Sequence, residues 1–319
     1  MSFGQLFGKP KISHHSLDGE FRPVRSSNSA SIGGDGAFNA GVFVVRRKPD
    51  ERKCVEKRFN TVDILNGRAE FEMFALRELS HKNVVEYLHA FIELHPPRAS
   101  MYMEFADLGT LEDRIVSNRE QNKYPAESAV WYLAMQLANA VSYLQYGVRD
   151  ASSDYRSERR SQPGWIGIVH RDIKPANIFL RTDTAAPLPR IILGDFGQAI
   201  REDNDNWNRI FEGGDRHWMA PEAPPWNYEA DVWAVGANIQ GTCRLGAQPL
   251  PREGQNLVGA GRRYSRYMTD GIIALMEPHP CDRIHIRDFA LEAGNHVRRA
   301  YRDEGGPSQR HQQRGNRDR

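Results

Sequence analysis

The first third of the chain has short apolar-rich runs that predict β-strands. In the run at 54–59, Val55, Lys57 and Phe59 share one face with a period of two. One of these runs follows a glycine-rich stretch at 33–36, which predicts a strand, a tight loop and a strand. Between the second and third runs, the chain predicts one helix, with Leu76 and Leu79 on its inward face. The predicted elements are strands at 41–45, 54–59 and 101–105 and a helix at 70–79.

From residue 126 onward the pattern becomes helical, with apolar residues at a period of 3.6. Pro125 suits the first turn of that helix. The apolar residues are Val130, Leu133, Ala134, Leu137, Val141 and Leu144. The sequence therefore predicts a small strand-rich part, a short connector and a larger helical part, with a ligand site between the two parts.

Composition supports a core and suggests where it stops. Among 319 residues, 39% are hydrophobic and 10% aromatic, which is enough for a sizeable core. The Ser-, Gly- and basic-rich composition of 1–26 predicts a flexible N-terminal segment. The Gly-, Gln- and Arg-rich composition of 303–319 predicts a disordered basic tail. The polar stretch 148–165 predicts a surface insertion.

Charge and cysteine content narrow the class of protein. The 43 Lys and Arg nearly balance 41 Asp and Glu, so no overall field favours nucleic acid or an acidic membrane. No apolar run reaches the roughly 18 residues of a membrane helix, and residues 1–13 lack a signal-peptide core. Cys54, Cys243 and Cys281 show no metal-ligand spacing. We expect reduced thiols in an intracellular protein, cytoplasmic or nuclear.

The most specific signals are four motifs in the second half of the chain. They are His170-Arg171-Asp172-Ile173-Lys174-Pro175-Ala176-Asn177, Asp195-Phe196-Gly197, Ala220-Pro221-Glu222 and Asp231-Val232-Trp233-Ala234-Val235-Gly236. In this order, with Lys57 and a glycine loop upstream, they resemble the eukaryotic protein kinase family, serine/threonine type. The first motif is most similar to NIMA-related kinases.

This resemblance covers about 27–302 and implies an α+β fold with two lobes. The N-lobe, about 27–103, would be a small antiparallel sheet with one main helix. A hinge at about 104–107 would lead to a larger, mainly helical C-lobe at about 108–302. The family also implies ATP and magnesium as cofactors and a protein Ser/Thr substrate.

The resemblance also assigns roles in phosphoryl transfer, which depends on positioning and charge neutralisation. Asp172 is implied as the catalytic base, and Lys174 as the cation that neutralises the moving phosphoryl group. Asn177 and Asp195 are implied as magnesium ligands, because this ion takes hard oxygen ligands. On its own, Asp195-Phe196-Gly197 would equally fit a simple turn.

Lys57 matches the strand lysine that holds the α- and β-phosphates in the family. Its partner is expected to be an acid on the first helix. We choose Glu72, with Glu70 and Glu78 as alternatives. Without the resemblance, a solvated surface lysine would be the ordinary interpretation.

Gly34 and Gly36 match the loop that covers the nucleotide phosphates, where glycine lets backbone N–H groups approach oxygen atoms. Asn39 stands at the third glycine position of the family, so we expect weaker or slower nucleotide handling. The implied adenine contacts are Met103, at the back of the pocket, and the backbones of Glu104 and Ala106.

Other motif residues have implied structural roles. Glu222 and Arg283 resemble a buried ion pair of the helical lobe, whose disruption would cost about 3–5 kcal/mol. Asp231 is expected to hold the backbone near His170, and His170 to pack under Phe196.

The segment between Asp195 and Glu222 contains no Ser, Thr or Tyr, although Arg171 could pair with a phosphate there. Our hypothesis is that a carboxylate meets Arg171 and orders the segment without phosphorylation. A solvated acidic loop is the alternative. The candidates are Glu202, Asp203, Asp205 and Glu212.

Asp215 occupies the place where serine/threonine kinases have Thr. Its carboxylate could pair with Lys174, and it also adds negative charge near Asp172 and Asp195. We expect Asp215→Thr to keep or raise activity.

The leading functional hypothesis is a serine/threonine protein kinase that transfers the ATP γ-phosphoryl group to protein hydroxyls. It could be active without phosphorylation of its activation segment. A pseudokinase that acts as a nucleotide-binding scaffold or allosteric partner is the alternative, favoured by Asn39, Gly41 and Asp215. A small-molecule kinase of related fold is the third hypothesis.

Overall fold

The computed structural model describes residues 12–13, 19–24, 41–202, 214–224, 226–253 and 256–303. The small lobe contains strands β1 Phe21–Pro23, β2 Gly41–Arg47, β3 Lys53–Arg58, β4 Tyr87–Leu94 and β5 Pro97–Glu104. They form an antiparallel sheet in the order β1-β2-β3-β5-β4. The register sets Lys57 opposite Val42 on one side and Met101 on the other.

Two helices, α1 Thr61–Leu65 and α2 Arg68–Glu78, follow β3. The side chain of Asn60 accepts the N–H of Asp63 at 2.8 Å and caps α1. On α2, Ala69, Met73 and Leu76 are buried, and Glu72 is buried with them. The predicted helix at 70–79 is therefore present, and it begins slightly earlier than the sequence suggests.

The large lobe is mainly helical. Its helices are α3 Leu111–Glu120, α4 Glu127–Tyr146, α5 Tyr228–Arg244, α6 Arg266–Leu275 and α7 Ile286–Asp303. Its short strands are β6 Ile168–Val169, β7 Ile178–Arg181, β8 Arg190–Leu193, β9 Ile200–Arg201, β10 Arg252–Glu253 and β11 Asn256–Leu257. Strand β6 pairs with β9, and β7 pairs with β8, each pair forming an antiparallel ribbon.

Helix α4 lies at the centre of this lobe and packs against α5 and α7. All six apolar residues that the 3.6-residue period singles out on it are buried, which confirms that prediction. The helix ends at Gly147, which has the left-handed conformation typical of a C-cap. One core cluster extends from α4 into the small lobe.

The structure describes two short parts of the N-terminal segment, 12–13 and 19–24. The sequence predicts flexibility over 1–26, but within it Phe21 lies in β1 and stacks on Tyr102 with ring centroids 3.8 Å apart. Ser13 bonds to β4 through the Ala90 carbonyl and the Ile92 N–H, at 2.9 and 3.0 Å. One aromatic residue in a polar stretch leaves no period, which is why the pattern missed this strand.

The segment 148–165 is exposed in its middle and anchored at its ends. Val148, Ala151 and Ser152 are buried. At the other end, Trp165 donates a hydrogen bond to the Leu144 carbonyl at 2.9 Å. The predicted surface insertion is thus a loop fixed against α4. None of the helices in the described ranges is long and apolar enough to cross a bilayer.

Candidate active site

The His170–Asn177 motif follows β6 and forms a loop held by α5. The carboxylate of Asp231 accepts the backbone N–H groups of His170 and Arg171 at 2.6 and 3.0 Å. Burial raises the pKa of Asp231 to about 7, against the two N–H groups, which lower it. Arg171 has a φ of 66°, so these bonds hold a backbone conformation that a non-glycine residue rarely adopts.

Asp172 is buried at the centre of this loop. Its Oδ2 accepts from Asn177 Nδ2 at 2.8 Å and lies 3.0 Å from Lys174 Nζ. Its Oδ1 accepts the backbone N–H of Asp215 at 3.0 Å. Two donors of the same loop and one from the segment after Asp195 therefore fix the orientation of this carboxylate.

Lys57 joins the small lobe to the next motif. Its Nζ lies 2.7 Å from Glu72 Oε1 and 2.8 Å from Asp195 Oδ1. Burial alone would lower the pKa of Lys57, but the charges of Asp195 and Glu72 outweigh it and raise the pKa above its ordinary value. The Lys57 charge lowers the pKa of Asp195 to about 2, so Asp195 is ionised.

Of the three acids considered as the partner of Lys57, the structure places Glu72 beside it. Glu70 and Glu78 are exposed on other faces of α2, and Glu78 pairs with Arg77 at 3.0 Å. The helical period placed Glu72 on the face that carries the buried residues of α2.

His170 lies beneath the second motif, as predicted. Its ring packs edge-on against Phe196 with centroids 4.8 Å apart, and Nε2 lies 3.1 Å from the Gly194 carbonyl. Burial lowers the pKa of His170, which favours the neutral ring. The contacts are those of a packing residue.

Met103 and Glu104 end strand β5, and Ala106 follows in the connection between the lobes. Met103 is partly buried and packs against the main core. Within the described residues, the Ala106 N–H has no hydrogen-bond acceptor, which leaves it available to a ligand. The Glu104 side chain points elsewhere, because it accepts the Glu86 N–H at 3.0 Å and pairs with Arg181.

Glu222 and Arg283 form the predicted ion pair through two bonds of 2.6 and 2.7 Å. The Arg283 side chain is fully buried. This pair belongs to the large lobe and lies away from Lys57.

Two hydrogen bonds hold the start of the segment after Asp195. Arg171 Nε donates to the Gln198 carbonyl at 2.5 Å. Glu202 Oε2 accepts from the Tyr228 hydroxyl at 2.6 Å. A Cβ at Gly167 would overlap this hydroxyl, so glycine there leaves the space that Tyr228 occupies. Of the four acids proposed to meet Arg171, Asp203, Asp205 and Glu212 lie outside the described residues.

Residues 28–268 of the chain match the family described as "Protein kinase domain". The chain belongs to the protein kinase domain family. The two-lobed α+β fold predicted from the resemblance is confirmed by this match and by the observed sheet and helices.

Curated relatives include the G2-specific protein kinase fin1 of Schizosaccharomyces pombe, 28% identical over 79% of this chain and 34% of that protein. The G2-specific protein kinase nimA of Emericella nidulans is 28% identical over 66% of the chain and 31% of its own length. Human serine/threonine-protein kinase Nek2 is 28% identical over 63% of the chain and 42% of its length. The chain thus spans about a third of the two fungal proteins, and its resemblance to NIMA-related kinases is confirmed.

The kinase domain brings together most of the residues chosen from sequence. Gly34, Gly36 and Asn39 of the phosphate-covering loop lie outside the described residues. Sequence reasoning missed the Glu202–Tyr228 bond and the Glu104–Arg181 pair. Neither contact had a local signal, since each joins residues far apart in the chain.

Proposed function

We propose that this protein kinase domain transfers the γ-phosphoryl group of ATP to serine and threonine hydroxyls of protein substrates. The observation that carries the proposal is the orientation of the buried Asp172 carboxylate by three donors, the Asn177 amide, the Lys174 ammonium and the Asp215 N–H. The names of the relatives support the serine/threonine class. The pair Lys174-Pro175 at this place of the motif is also similar to the pair found in serine/threonine kinases.

In the proposed reaction, the substrate oxygen forms a bond to the γ-phosphorus as the bond to the bridging oxygen breaks. ADP leaves with that electron pair, and the hydroxyl proton moves to the Asp172 carboxylate. Lys174, 3.0 Å from Asp172, provides positive charge beside the reacting oxygen.

The nucleotide would bind between the lobes. Lys57, already fixed by Glu72 and Asp195, presents its charge for the α- and β-phosphates. The available Ala106 N–H supports adenine binding, with Met103 behind it. For Glu104 we propose a backbone contact, because its side chain is engaged with Glu86 and Arg181.

A magnesium ion would be held by Asp195 and Asn177. The Asp195 carboxylate is ionised and its side chain is 41% exposed. Asn177 Nδ2 donates to both the carbonyl and Oδ2 of Asp172, which leaves Oδ1 as its ligand atom. Two hard oxygen donors fit magnesium, which keeps water and phosphate as its other ligands. The ion would neutralise phosphate charge.

We also propose that the domain is active without phosphorylation of its activation segment. The Arg171–Gln198 and Glu202–Tyr228 bonds anchor the start of that segment with uncharged or carboxylate acceptors. Glu202 therefore meets Tyr228. Asp203, Asp205 and Glu212 lie outside the described residues, so the pairing of one of these acids with Arg171 stays a prediction.

For the location we propose the interior of the cell. Cys54, Cys243 and Cys281 are free thiols, which fits a reducing compartment. Burial raises the pKa of the Cys54 and Cys243 thiols, which favours their protonated form.

The test is transfer of labelled γ-phosphate from magnesium ATP to a mixed protein substrate, with phosphoamino-acid analysis. Wild type and Asp172→Asn are compared after matched purification. Label on Ser or Thr that disappears in the variant supports the proposal. Nucleotide binding without transfer would favour the scaffold alternative instead.

A further inference from the structure

The two carboxylate oxygens of Asp172 have unequal hydrogen-bond partners. Oδ2 accepts from Asn177 and Lys174, whereas among the described residues Oδ1 accepts from one donor, the Asp215 backbone N–H. A carboxylate oxygen offers about two acceptor positions. Oδ2 is therefore fully engaged, and Oδ1 has one position left.

Asp215 begins a tight turn. Its Oδ1 accepts the N–H of His217 at 3.0 Å, and its carbonyl accepts the N–H of Trp218 at 2.8 Å. A side chain that binds the N–H two residues later is typical of Asp and Asn in turns. The carboxylate thus holds the turn, while Lys174 pairs with Asp172.

Gly214, which precedes Asp215, packs closely against the loop that carries Asp172. Gly214 has a φ of 66°, in the left-handed region that favours glycine. A Cβ at Gly214 would overlap the carbonyl oxygen of Arg171. The backbone of 214–215 therefore lies directly on the loop that carries Asp172.

We propose that Asp215 is a positioning residue, whose side chain folds the turn that aims its own N–H at Asp172 Oδ1. This inference rests on the proposed kinase function. It identifies Oδ1 as the atom that accepts the substrate proton, because Oδ1 has the remaining acceptor position. The oxygen–phosphorus bond forms as that proton is transferred, and the leaving oxygen of ADP keeps its electron pair.

This role needs a hydrogen-bond acceptor at residue 215 and does not need its charge. Asparagine keeps an acceptor of the same shape, whereas alanine removes it. A repulsive role of the carboxylate towards Asp172 would have the opposite consequence, since asparagine would then accelerate the reaction. The two explanations are therefore separated by one substitution.

The experiment measures the single-turnover rate of phosphoryl transfer and the KM for ATP in wild type, Asp215→Asn, Asp215→Ala and Gly214→Ala. Thermal unfolding of each variant checks folding. We expect Asp215→Asn to stay within about 2-fold of wild type. Both alanine variants are expected to lower the rate about 10- to 100-fold, with KM for ATP nearly unchanged, because the base is misoriented while the nucleotide site is intact.

Wild-type rates in Asp215→Ala would overturn the inference, as would a clear gain or loss of rate in Asp215→Asn. A clear change of rate in Asp215→Asn overturns the inference even if an alanine variant does not fold. An inactive wild type would overturn the proposed function and this inference together. An active wild type with unaffected variants would overturn the inference alone.

Discussion

Two buried ion pairs of this kinase domain have similar lengths and different charge balances. Lys57 lies 2.7 Å from Glu72 and 2.8 Å from Asp195, so one cation serves two carboxylates. Arg283 meets Glu222 through two bonds of 2.6 and 2.7 Å. It also donates to backbone carbonyls, including that of Glu277 at 2.8 Å.

This difference in charge balance separates a candidate catalytic cluster from an ion pair that stabilises the fold. The cluster of Lys57, Glu72 and Asp195 has one excess negative charge, and Asp195 is its partly exposed carboxylate. A cation bound with the nucleotide would balance that charge. The Arg283 pair is matched in charge within the protein, and its Arg283 side chain is fully buried while Glu222 is 17% exposed. We therefore expect changes in the first cluster to affect catalysis and changes in the second to affect stability.

Arg283→Leu should have the largest effect on stability. It would strand the Glu222 charge and remove donors from several carbonyls, so we expect a loss of about 3–5 kcal/mol in the free energy of unfolding. Urea denaturation measures this. Arg266→Leu is the matched control, because Arg266 is 91% exposed in its pair with Asp270 and should change stability by less than about 1 kcal/mol. Equal losses in both variants would contradict the comparison.

Glu72→Gln should have the opposite result to Arg283→Leu, with a loss of activity and little loss of stability. Lys57 would keep Asp195 as its partner, and burial already raises the pKa of the Glu72 carboxyl, so losing its charge is tolerated. We expect the transfer rate to fall about 10- to 100-fold, because Lys57 is less firmly positioned.

Two measurements on Glu72→Gln decide the outcome. Steady-state kinetics give the rate, and urea denaturation of the same preparation gives the stability. Glu70→Gln is the matched control on the exposed face of α2 and should leave both values unchanged. A stability loss as large as that of Arg283→Leu, with normal kinetics, would contradict the assignment.

Both of these ion pairs could be predicted because their residues lie in motifs that resemble the kinase family. For the first pair the local pattern agrees, since Lys57 lies on an alternating strand and Glu72 on the buried face of a helix. The motif containing Asp172 and Asn177 is contiguous, and its residue types follow from phosphoryl transfer.

Other contacts had no such signal. The stacking of Phe21 on Tyr102 and the bond between Glu202 and Tyr228 join distant residues through the tertiary fold. The N–H that Asp215 donates to Asp172 comes from the backbone, so its residue type does not reveal it. Such contacts depend on how the elements pack, which the local pattern does not encode.

Tyr228→Phe tests a weaker kind of anchor, a single hydrogen bond to a carboxylate. Removing the hydroxyl leaves Glu202 without this donor, and we expect a loss of activity of about 3- to 10-fold from a looser activation segment. Kinase assays with unphosphorylated protein measure it. Tyr155→Phe is the matched control, because Tyr155 is exposed, and it should retain full activity. Unchanged activity in Tyr228→Phe would remove the Glu202 bond from the proposed activation mechanism.

His81 isolates the contribution of a group that is held neutral. Its Nδ1 accepts the N–H of Asn83 at 3.1 Å, so Nε2 carries the hydrogen and donates to the Arg149 carbonyl at 3.0 Å. The ring also stacks on Tyr143 with centroids 4.8 Å apart. Burial lowers the pKa of His81 to about 4. Protonation would place a hydrogen on Nδ1, against the Asn83 donor.

A lowered pKa in the folded state means that this stabilisation is complete above about pH 6.5 and is lost as the pH falls towards 4. We expect the wild type to lose about 1–2 kcal/mol more than His81→Gln across that interval, since one pKa unit corresponds to about 1.4 kcal/mol and the ring is partly exposed. Urea denaturation at several pH values measures the difference. Parallel pH curves would show that the ring is not held neutral. A difference confined to this interval separates His81 from Asp195, whose pKa of about 2 places its loss of stabilisation at lower pH.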